Sequence, residues 1–114
     1  MTEARALLRN IHSSPRKMRV VIDLIRGKNA SEAIGILRYS TQHASVDAEK
    51  TLRSAISNLM VKDEQIDPDT IFVKEVYVNQ GATMKRMLPA PMGRAYRVRK
   101  RSNHLTIVVA GDRG

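Results

Sequence analysis

The fold is decided by three stretches of the chain: IFVKEVYV at residues 71–78, LPAPMG at residues 88–93 and HLTIVV at residues 104–109. The outer two are rich in β-branched and aromatic residues, which predicts two strands. The middle stretch is the strongest turn signal in the chain, because proline and glycine favour turns. A turn centred near residue 90 aligns 71–78 with 102–109, so that paired residue numbers total about 180. We therefore predict one long antiparallel hairpin.

The outer part of this hairpin, residues 79–101, has no apolar face whose burial could stabilise it. It lacks a sustained apolar alternation, and an isolated two-stranded ribbon is only marginally stable in water. The ten residues from Asn79 to Leu88 would extend about 33 Å beyond the packed strands. Two alternatives remain open for the free protein: an extended arm, or a loop without regular structure between Gly81 and Gly93.

A first helix is predicted after the weak strand signal of residues 6–11. Ser14 followed by Pro15 is typical of a helix start, because the hydroxyl accepts an unpaired N–H and proline lacks one. One apolar stripe follows at helical spacing, formed by Met18, Val21, Ile22 and Ile25. Gly27 then predicts the end of the helix.

Two further helices are predicted between residues 29 and 62. Asn29, with Glu32 three residues later, resembles a capping box for a short second helix. Ser40 or Thr41 is expected to cap a longer third helix that ends before Lys62. The apolar stripes of the two helices consist of Ala30, Ala33, Ile34 and Leu37, and of Ala48, Leu52, Ala55, Ile56 and Leu59.

The chain has 114 residues, which suits a single domain over residues 1–114, and a formal net charge of +9. Its 20 Lys and Arg residues are unevenly spread, because residues 76–111 contain seven of them and no Asp or Glu. A solvated surface normally mixes both signs. Five of the seven cations are Arg, which suits bidentate phosphate contacts and base stacking. We therefore expect a polyanionic partner.

Several classes of protein are excluded by composition. The chain has no Cys, which removes disulfides, thiolate nucleophiles and Cys-based metal sites. Its longest apolar run is Ile107 to Ala110, far short of the ~20 residues that span a bilayer, so we expect a cytoplasmic protein without a membrane partner. The three His residues are well separated, and glycine-rich phosphate loops are absent. We expect no enzyme, no cofactor and no metal site, and we interpret the acids at residues 63–69 as a solvated turn.

The kind of nucleic acid is suggested by what the chain lacks. It has three Tyr, one Phe and no Trp, and it contains no zinc-finger spacing, K homology loop or aromatic RNP1 pattern. Contacts should therefore be mostly to phosphate and sugar, which favours a fixed, folded RNA. An architectural DNA-bending protein stays open as an alternative, because such proteins also use basic β-arms and prolines.

A series of short motifs follows in order over nearly the whole chain: SPRKMR at residues 14–19, DLIRGK at 23–28, SAI at 54–56 with Asn58, MKR at 84–86 and GRA at 93–95. Arg97, RKRS at 99–102 and His104 complete the series. With these motifs the chain resembles the bacterial large-subunit ribosomal protein L22 family, whose long hairpin lines the exit tunnel.

The resemblance implies an α+β fold, with three helices packed on a small antiparallel sheet and a long protruding β-hairpin. It implies a structural constituent of the large ribosomal subunit that binds large-subunit rRNA, lines the nascent-peptide exit tunnel and assists subunit assembly. The implied partners are large-subunit rRNA, neighbouring ribosomal proteins and, at the hairpin tip, the nascent polypeptide, and no homo-oligomer is expected. The globular part would comprise residues 1–78 and 102–114, and the extended arm residues 79–101.

The resemblance also implies roles for individual residues. On the globular part, the RNA contacts would be Arg16, Lys17, Arg19, Arg26 and Lys28. On the arm, they would be Lys85, Arg86, Arg94, Arg97, Arg99, Lys100 and Arg101. The tip that faces the tunnel would consist of Met87, Leu88, Pro89, Ala90, Pro91 and Met92. Relatives commonly carry a basic residue in place of Ala90 and Met92, so this tip is less cationic than theirs.

Overall fold

A three-stranded antiparallel sheet forms the centre of the computed structural model, which describes residues 1–11, 15–80, 84–89, 95–100 and 103–113. Its strands are β1 (Thr2–Ile11), β2 (Phe72–Gln80) and β5 (Asn103–Gly111). Strand β5 lies in the middle and pairs with β1 on one side and with β2 on the other. Two further strands, β3 (Met84–Pro89) and β4 (Ala95–Lys100), form a separate two-stranded ladder.

Three α-helices occupy the stretch where the 3.6-residue period predicted them: α1 (Pro15–Asp23), α2 (Ala30–Arg38) and α3 (Ala44–Lys62). A short 3-10 helix, Pro68–Thr70, precedes β2. The predicted apolar stripes are confirmed, because every member is buried except Ile34 and Ile56, which are partly buried and pack against the core. The α+β fold class is confirmed as well.

Local hydrogen bonds mark the end of α1 and the beginning of α2. Beyond α1 the chain tightens, and the N–H of Leu24 donates to the carbonyl of Val21 at 3.2 Å. Gly27 takes a φ of 75°, which a side chain would disfavour, and it closes the turn of residues 24–27; the predicted helix end at Gly27 is wrong, because α1 already ends at Asp23. Asn29 caps α2 as predicted, because its Oδ1 accepts from the N–H of Ser31 at 2.9 Å.

The predicted start of α3 is wrong, because neither Ser40 nor Thr41 caps this helix, which begins at Ala44. The hydroxyl of Ser40 accepts from the N–H of Gln42 at 3.2 Å and so closes a separate turn ahead of the helix. The carbonyl of Gln42 then accepts from the N–H and the hydroxyl of Ser45, at 3.1 and 2.6 Å. The first turn of α3 is therefore supported by a backbone carbonyl and a buried serine.

One face of the sheet carries the hydrophobic core. Helix α3 packs against β1 and β5, and α1 packs against β2. The inward residues of β5, Leu105, Ile107 and Val109, are completely buried there. The helices leave the opposite face of the sheet accessible, and Leu7 and Tyr77 are 47% and 41% exposed on it.

The pairing of β2 with β5 in a hairpin is confirmed, but the predicted centre at residue 90 is wrong. The numbers of paired residues total 182 at Phe72 and Ala110, and they total 183 beyond a β-bulge at Lys74. In the β3–β4 ladder they total 184, so the hairpin is centred at residue 92. The ladder runs up to the pair of Pro89 and Ala95. Both strands of a two-stranded ladder are edges, where proline is tolerated. The first two residues of LPAPMG therefore belong to the strand.

Some predictions concern residues outside the described ranges. These are the helix cap at Ser14, the tip residues Ala90, Pro91 and Met92, and the arm cations Arg94 and Arg101. The alternative to an arm was a loop without regular structure between Gly81 and Gly93. Within that stretch the structure describes residues 84–89, and they form the antiparallel ladder expected of an arm.

The molecule is elongated, with extents of 68 × 26 × 15 Å and a radius of gyration of 17.6 Å. A compact chain of this length would have a radius of gyration of about 13 Å. Strands β3 and β4 pack mainly against each other, whereas β1, β2 and β5 share the helices. The hairpin therefore protrudes from the part of the molecule that holds the core.

Replacing Leu52 by Ala should lower the free energy of unfolding by about 2 to 5 kcal/mol, because this completely buried side chain would leave a cavity. Val46→Ala on the same helix is the matched control: Val46 is 62% exposed, so its truncation should change stability by less than about 0.5 kcal/mol. Urea unfolding followed by circular dichroism measures both variants. Equal losses would contradict the assignment of the core face of α3.

Candidate nucleic-acid interface

Helix α1 buries its apolar stripe, which leaves its cations in solvent. Arg16, Lys17 and Arg19 are all exposed. Within the described part of the chain, Arg16 and Arg19 have no carboxylate within ion-pair distance. These two guanidinium groups are therefore available to an external anion.

The predicted cations that follow α1 are held in weak, exposed ion pairs. Arg26 Nη2 lies 3.3 Å from Asp23 Oδ1, and Lys28 Nζ lies 4.0 Å from Glu32 Oε1. Such surface pairs contribute at most about 1 kcal/mol, so a phosphate can replace the carboxylate. The backbone of Lys28 is fixed, because its carbonyl accepts from the N–H of Val73 at 2.9 Å at the start of β2.

The β3–β4 ladder brings predicted arm cations to neighbouring register positions. Lys85 pairs with Arg99, and Met84 pairs with Lys100. Like charges at directly opposed positions destabilise an antiparallel pair. Residues 76–111 contain no acid that could compensate for them. The register therefore places two cations of the arm at directly opposed positions, with no acid nearby in the sequence.

A second group of cations, which the sequence prediction missed, lies on the open face of the sheet. Arg5 and Arg9 are exposed residues of β1. They line a cleft of about 570 Å³ together with Leu7, Tyr77, Asn79, His104 and Thr106. The available signal was the period-2 spacing of Arg5, Leu7 and Arg9. Only the strand order shows that these residues lie on the same face as Tyr77 of β2.

Two side chains of α3 hold β1 in position beneath this face. Asn58 Nδ2 donates to the carbonyl of Arg5 at 3.0 Å, and Lys62 Nζ donates to the carbonyl of Glu3 at 2.8 Å. Asn58 is one of the motif residues in the sequence, and its contact in this structure is with the backbone of an edge strand. The helix thus fixes the strand that carries Arg5 and Arg9.

Two of the four acidic residues between α3 and β2, Asp63 and Asp67, are held in local contacts. Asp63 Oδ2 accepts from Arg113 Nε at 2.8 Å, and Asp63 Oδ1 accepts from the N–H of Gln65 at 3.0 Å. The bond from Arg113, followed by that from Gln65, holds the pKa of Asp63 below its ordinary value of 3.8. Asp67 Oδ1 likewise accepts from the N–H of Asp69 at 3.0 Å. These contacts are those of a capped turn, in keeping with the sequence interpretation.

In the described ranges, no three His, Asp or Glu side chains come together in a way that could hold a metal ion. Among the helices of these ranges, none has the length and apolar character needed to cross a membrane.

The chain is similar to known proteins over most of its length. The sequence model of a family described as ribosomal protein L22p/L17e matches residues 6–110. The large ribosomal subunit protein uL22 of Chlorobium phaeovibrioides is 58% identical over 109 residues, which cover 94% of this chain and 92% of the relative. The proteins of the same name from Chlorobium luteolum and Chlorobaculum tepidum are 57% and 52% identical, with the same coverage.

Replacing Arg113 by Gln should destabilise the fold at about pH 6, and this effect should disappear in acid. The folded-state pKa of Asp63 is depressed, so the stabilisation from its ionised form is present above pH 3.8 and is lost as the pH falls through the folded-state value. Thermal unfolding of the wild type and the variant between about pH 2 and pH 7 measures the difference. Lys50→Gln, which removes an exposed helical cation, should show no such convergence, and a pH-independent effect of Arg113→Gln would contradict the linkage.

Proposed function

The chain belongs to the ribosomal protein L22p/L17e family and is a structural, non-enzymatic constituent of the large ribosomal subunit, and we propose that it binds large-subunit rRNA through two cationic surfaces. The first surface, the α1 face, consists of Arg16, Lys17, Arg19, Arg26 and Lys28. The second is the arm, residues 79–101, with Lys85, Arg86, Arg94, Arg97, Arg99, Lys100 and Arg101. In this proposal residues 1–78 and 102–114 form the globular part of a single domain, and no cofactor takes part.

The observation that carries the proposal is the exposure of the α1 face next to a structured core. Arg16, Lys17 and Arg19 extend from a helix whose other side is packed against α3 and β2. The helix is therefore a rigid support, and binding costs little beyond ordering the cationic side chains themselves. Arg26 and Lys28 lie in exposed pairs that exchange readily.

The arm supplies the larger share of the charge. Its seven cations occur without any acid between residues 76 and 111. Each cation that neutralises a phosphate releases condensed counterions, which is favourable at low salt. The same contacts relieve the repulsion between positions such as Lys85 and Arg99, which are paired in the ladder. RNA binding and the order of the arm are therefore coupled.

Recognition in this proposal depends on the shape of the RNA more than on its sequence. Three Tyr and one Phe are the only aromatic residues of the chain, so few bases can be read by stacking. Arginine and lysine contacts to phosphate and sugar position a protein without reading bases. A fixed, folded RNA in a ribosomal subunit is the partner that this chemistry suits, and family membership favours it over the DNA-bending alternative.

We extend the proposal to the tip of the arm, where Met87, Leu88, Pro89, Ala90, Pro91 and Met92 would line the exit tunnel and meet the nascent polypeptide. The tip contains no charged residue. A neutral, apolar surface gives no strong attachment point to passing chains of varied charge. Pro89 lies nine positions after Gln80, and nine residue steps of an extended strand span about 30 Å. That reach suits a tip that enters the subunit while the globular part stays outside.

The arm would also assist subunit assembly, because a ribbon whose cations contact several RNA segments holds those segments together once it binds. Neighbouring ribosomal proteins are further proposed partners. Val20 of α1 and Leu24 just beyond its end lie four residues apart and are 54% and 47% exposed. Such a pair suits a small protein contact at the margin of the RNA interface.

Binding of the full chain to in-vitro transcribed large-subunit rRNA should weaken with salt, with a slope of log K against log salt of about −4 to −5 for roughly six neutralised phosphates. Replacing Arg16 and Arg19 together by Gln should reduce the magnitude of the slope by about 1.4 to 1.8. Filter binding at several salt concentrations measures both values.

The matched control for this measurement is the double variant Arg38→Gln with Lys50→Gln, which removes two exposed cations from α2 and α3. Its slope should equal that of the wild type. A wild-type slope near zero would refute RNA binding through phosphates. An equal reduction in the control would show that the α1 face has no special role.

A further inference from the structure

The open face of the sheet is a surface that the proposed function leaves unused. Strand register puts Leu7, Thr106 and Tyr77 in one row across β1, β5 and β2. Residues directly opposed in adjacent strands lie on the same face of a sheet. Leu7 and Tyr77 are half-exposed there, whereas Thr106 between them is buried. This face is therefore accessible along its two edge strands, one of which carries an aromatic ring.

The charge on this face is graded along the strands. At the end near the start of β1, Lys74 bonds the carboxylate of Glu3, and Glu75 lies in the same row as Arg5. At the other end, Arg9 is exposed, with no carboxylate partner among the described residues. The positive end is the one that adjoins the arm.

The cleft at the positive end is lined without any carboxylate. Seven residues line it: the polar residues Arg5, Arg9, Asn79, His104 and Thr106, together with Leu7 and the ring of Tyr77. Its volume of about 570 Å³ is within the range of sites for small organic groups. Cationic, amide and imidazole groups around an aromatic ring match the parts of a nucleotide: phosphate, base edge and base face.

We propose that this face binds an unpaired nucleotide of RNA, with the base on Tyr77 and the flanking phosphates at Arg9 and Arg5. The inference rests on the proposed function and extends it, since it adds a base-stacking subsite to a protein that otherwise contacts phosphate and sugar. RNA is favoured over a protein partner, because the cleft is lined by two Arg residues and no carboxylate, which suits a polyanion, and because the proposed function already places the chain on RNA.

The position of the face agrees with this assignment. The pair Asn79 and His104 lies on the face, and the next pair, Gln80 and Asn103, is the last described pair of the sheet on the side of the β3–β4 ladder. An RNA strand that follows the arm toward the globular part would therefore arrive at the positive end of the cleft. Helix α3 fixes the opposite edge through Asn58, so Arg5 is held on a strand that does not need to move.

The test uses the full chain and two labelled probes, octauridylate and an RNA duplex of eight base pairs. Tyr77→Leu should weaken octauridylate binding roughly tenfold, because the stacking surface is lost, and should change duplex binding less than about twofold. Tyr77→Phe keeps the ring and should bind within about twofold of the wild type. Tyr39→Leu is the matched control, because Tyr39 is 84% exposed at the end of α2 and should not affect either probe.

A second variant keeps the test independent of any loss of folding at Tyr77. Arg9→Gln changes an exposed side chain and should lower the magnitude of the salt slope for octauridylate by about 0.7, whereas Lys50→Gln should leave it unchanged. Equal affinities of wild type, Tyr77→Leu and Arg9→Gln would overturn the inference. So would equal losses for Tyr77→Phe and Tyr77→Leu, since the ring would then not be the binding element.

Failure of this inference is distinguishable from failure of the proposed function. If the variants bind octauridylate normally while the wild type still binds large-subunit rRNA with the steep salt slope, only the nucleotide subsite is refuted. If those variants instead lose a ribosomal protein from reconstituted subunits, the face is a protein interface and the inference is overturned. If the wild type binds neither rRNA nor octauridylate, both proposals are wrong.

Discussion

The central strand β5 is the constraint on which the rest of the structure depends. It is the only strand of the described sheet that is paired on both edges, and its inward residues Leu105, Ile107 and Val109 are completely buried. Strand β1 from the start of the chain and β2 from its second half meet only through β5. The helices cover one face of this sheet, so the arm that leaves β2 and returns into β5 starts from an anchored base.

In this arrangement the stability of the fold and the proposed binding of RNA depend on different forces. The core is held by apolar burial, and at its margin Asp63 is paired with Arg113. The cations of the α1 face and of β1 are exposed, and Arg26 and Lys28 are held only in weak pairs. The stability that comes from apolar burial depends little on ionic strength, whereas the affinity that comes from phosphate contacts falls as the salt concentration rises. The globular part can therefore remain folded under salt conditions that release the RNA we propose as its partner.

Much of the fold could be predicted from sequence where one period dominates. The stripes of the three helices were predicted correctly, and so was the hairpin, because two β-rich stretches flank one proline-rich turn. The start of α3 was not predictable from capping preferences, since Ser40 uses its hydroxyl for a turn to Gln42. The exact register was missed because the bulge at Lys74 and the retention of Pro89 in the strand depend on tertiary pairing. Family membership, inferred from ordered motifs, is confirmed by the match over residues 6–110.

The candidate site was only partly visible in the sequence. The cations of α1 could be found because they occur on a helix with a clear apolar stripe. Arg5 and Arg9 were missed, because on a strand their spacing means little until the other strands of the sheet are known. About 70 residues separate Leu7 from Tyr77 in the chain, and β5 alone brings them into one row.

The most direct test of this account replaces residues 81–102 with an Asn-Gly turn that joins the paired residues Gln80 and Asn103. The account predicts a shortened protein that still unfolds cooperatively, with a melting temperature within a few degrees of the full chain, and that binds large-subunit rRNA at least about tenfold more weakly at the same salt concentration. A shortened protein that fails to fold, or that binds rRNA as tightly as the full chain, would contradict the division between a self-sufficient core and an arm devoted to RNA.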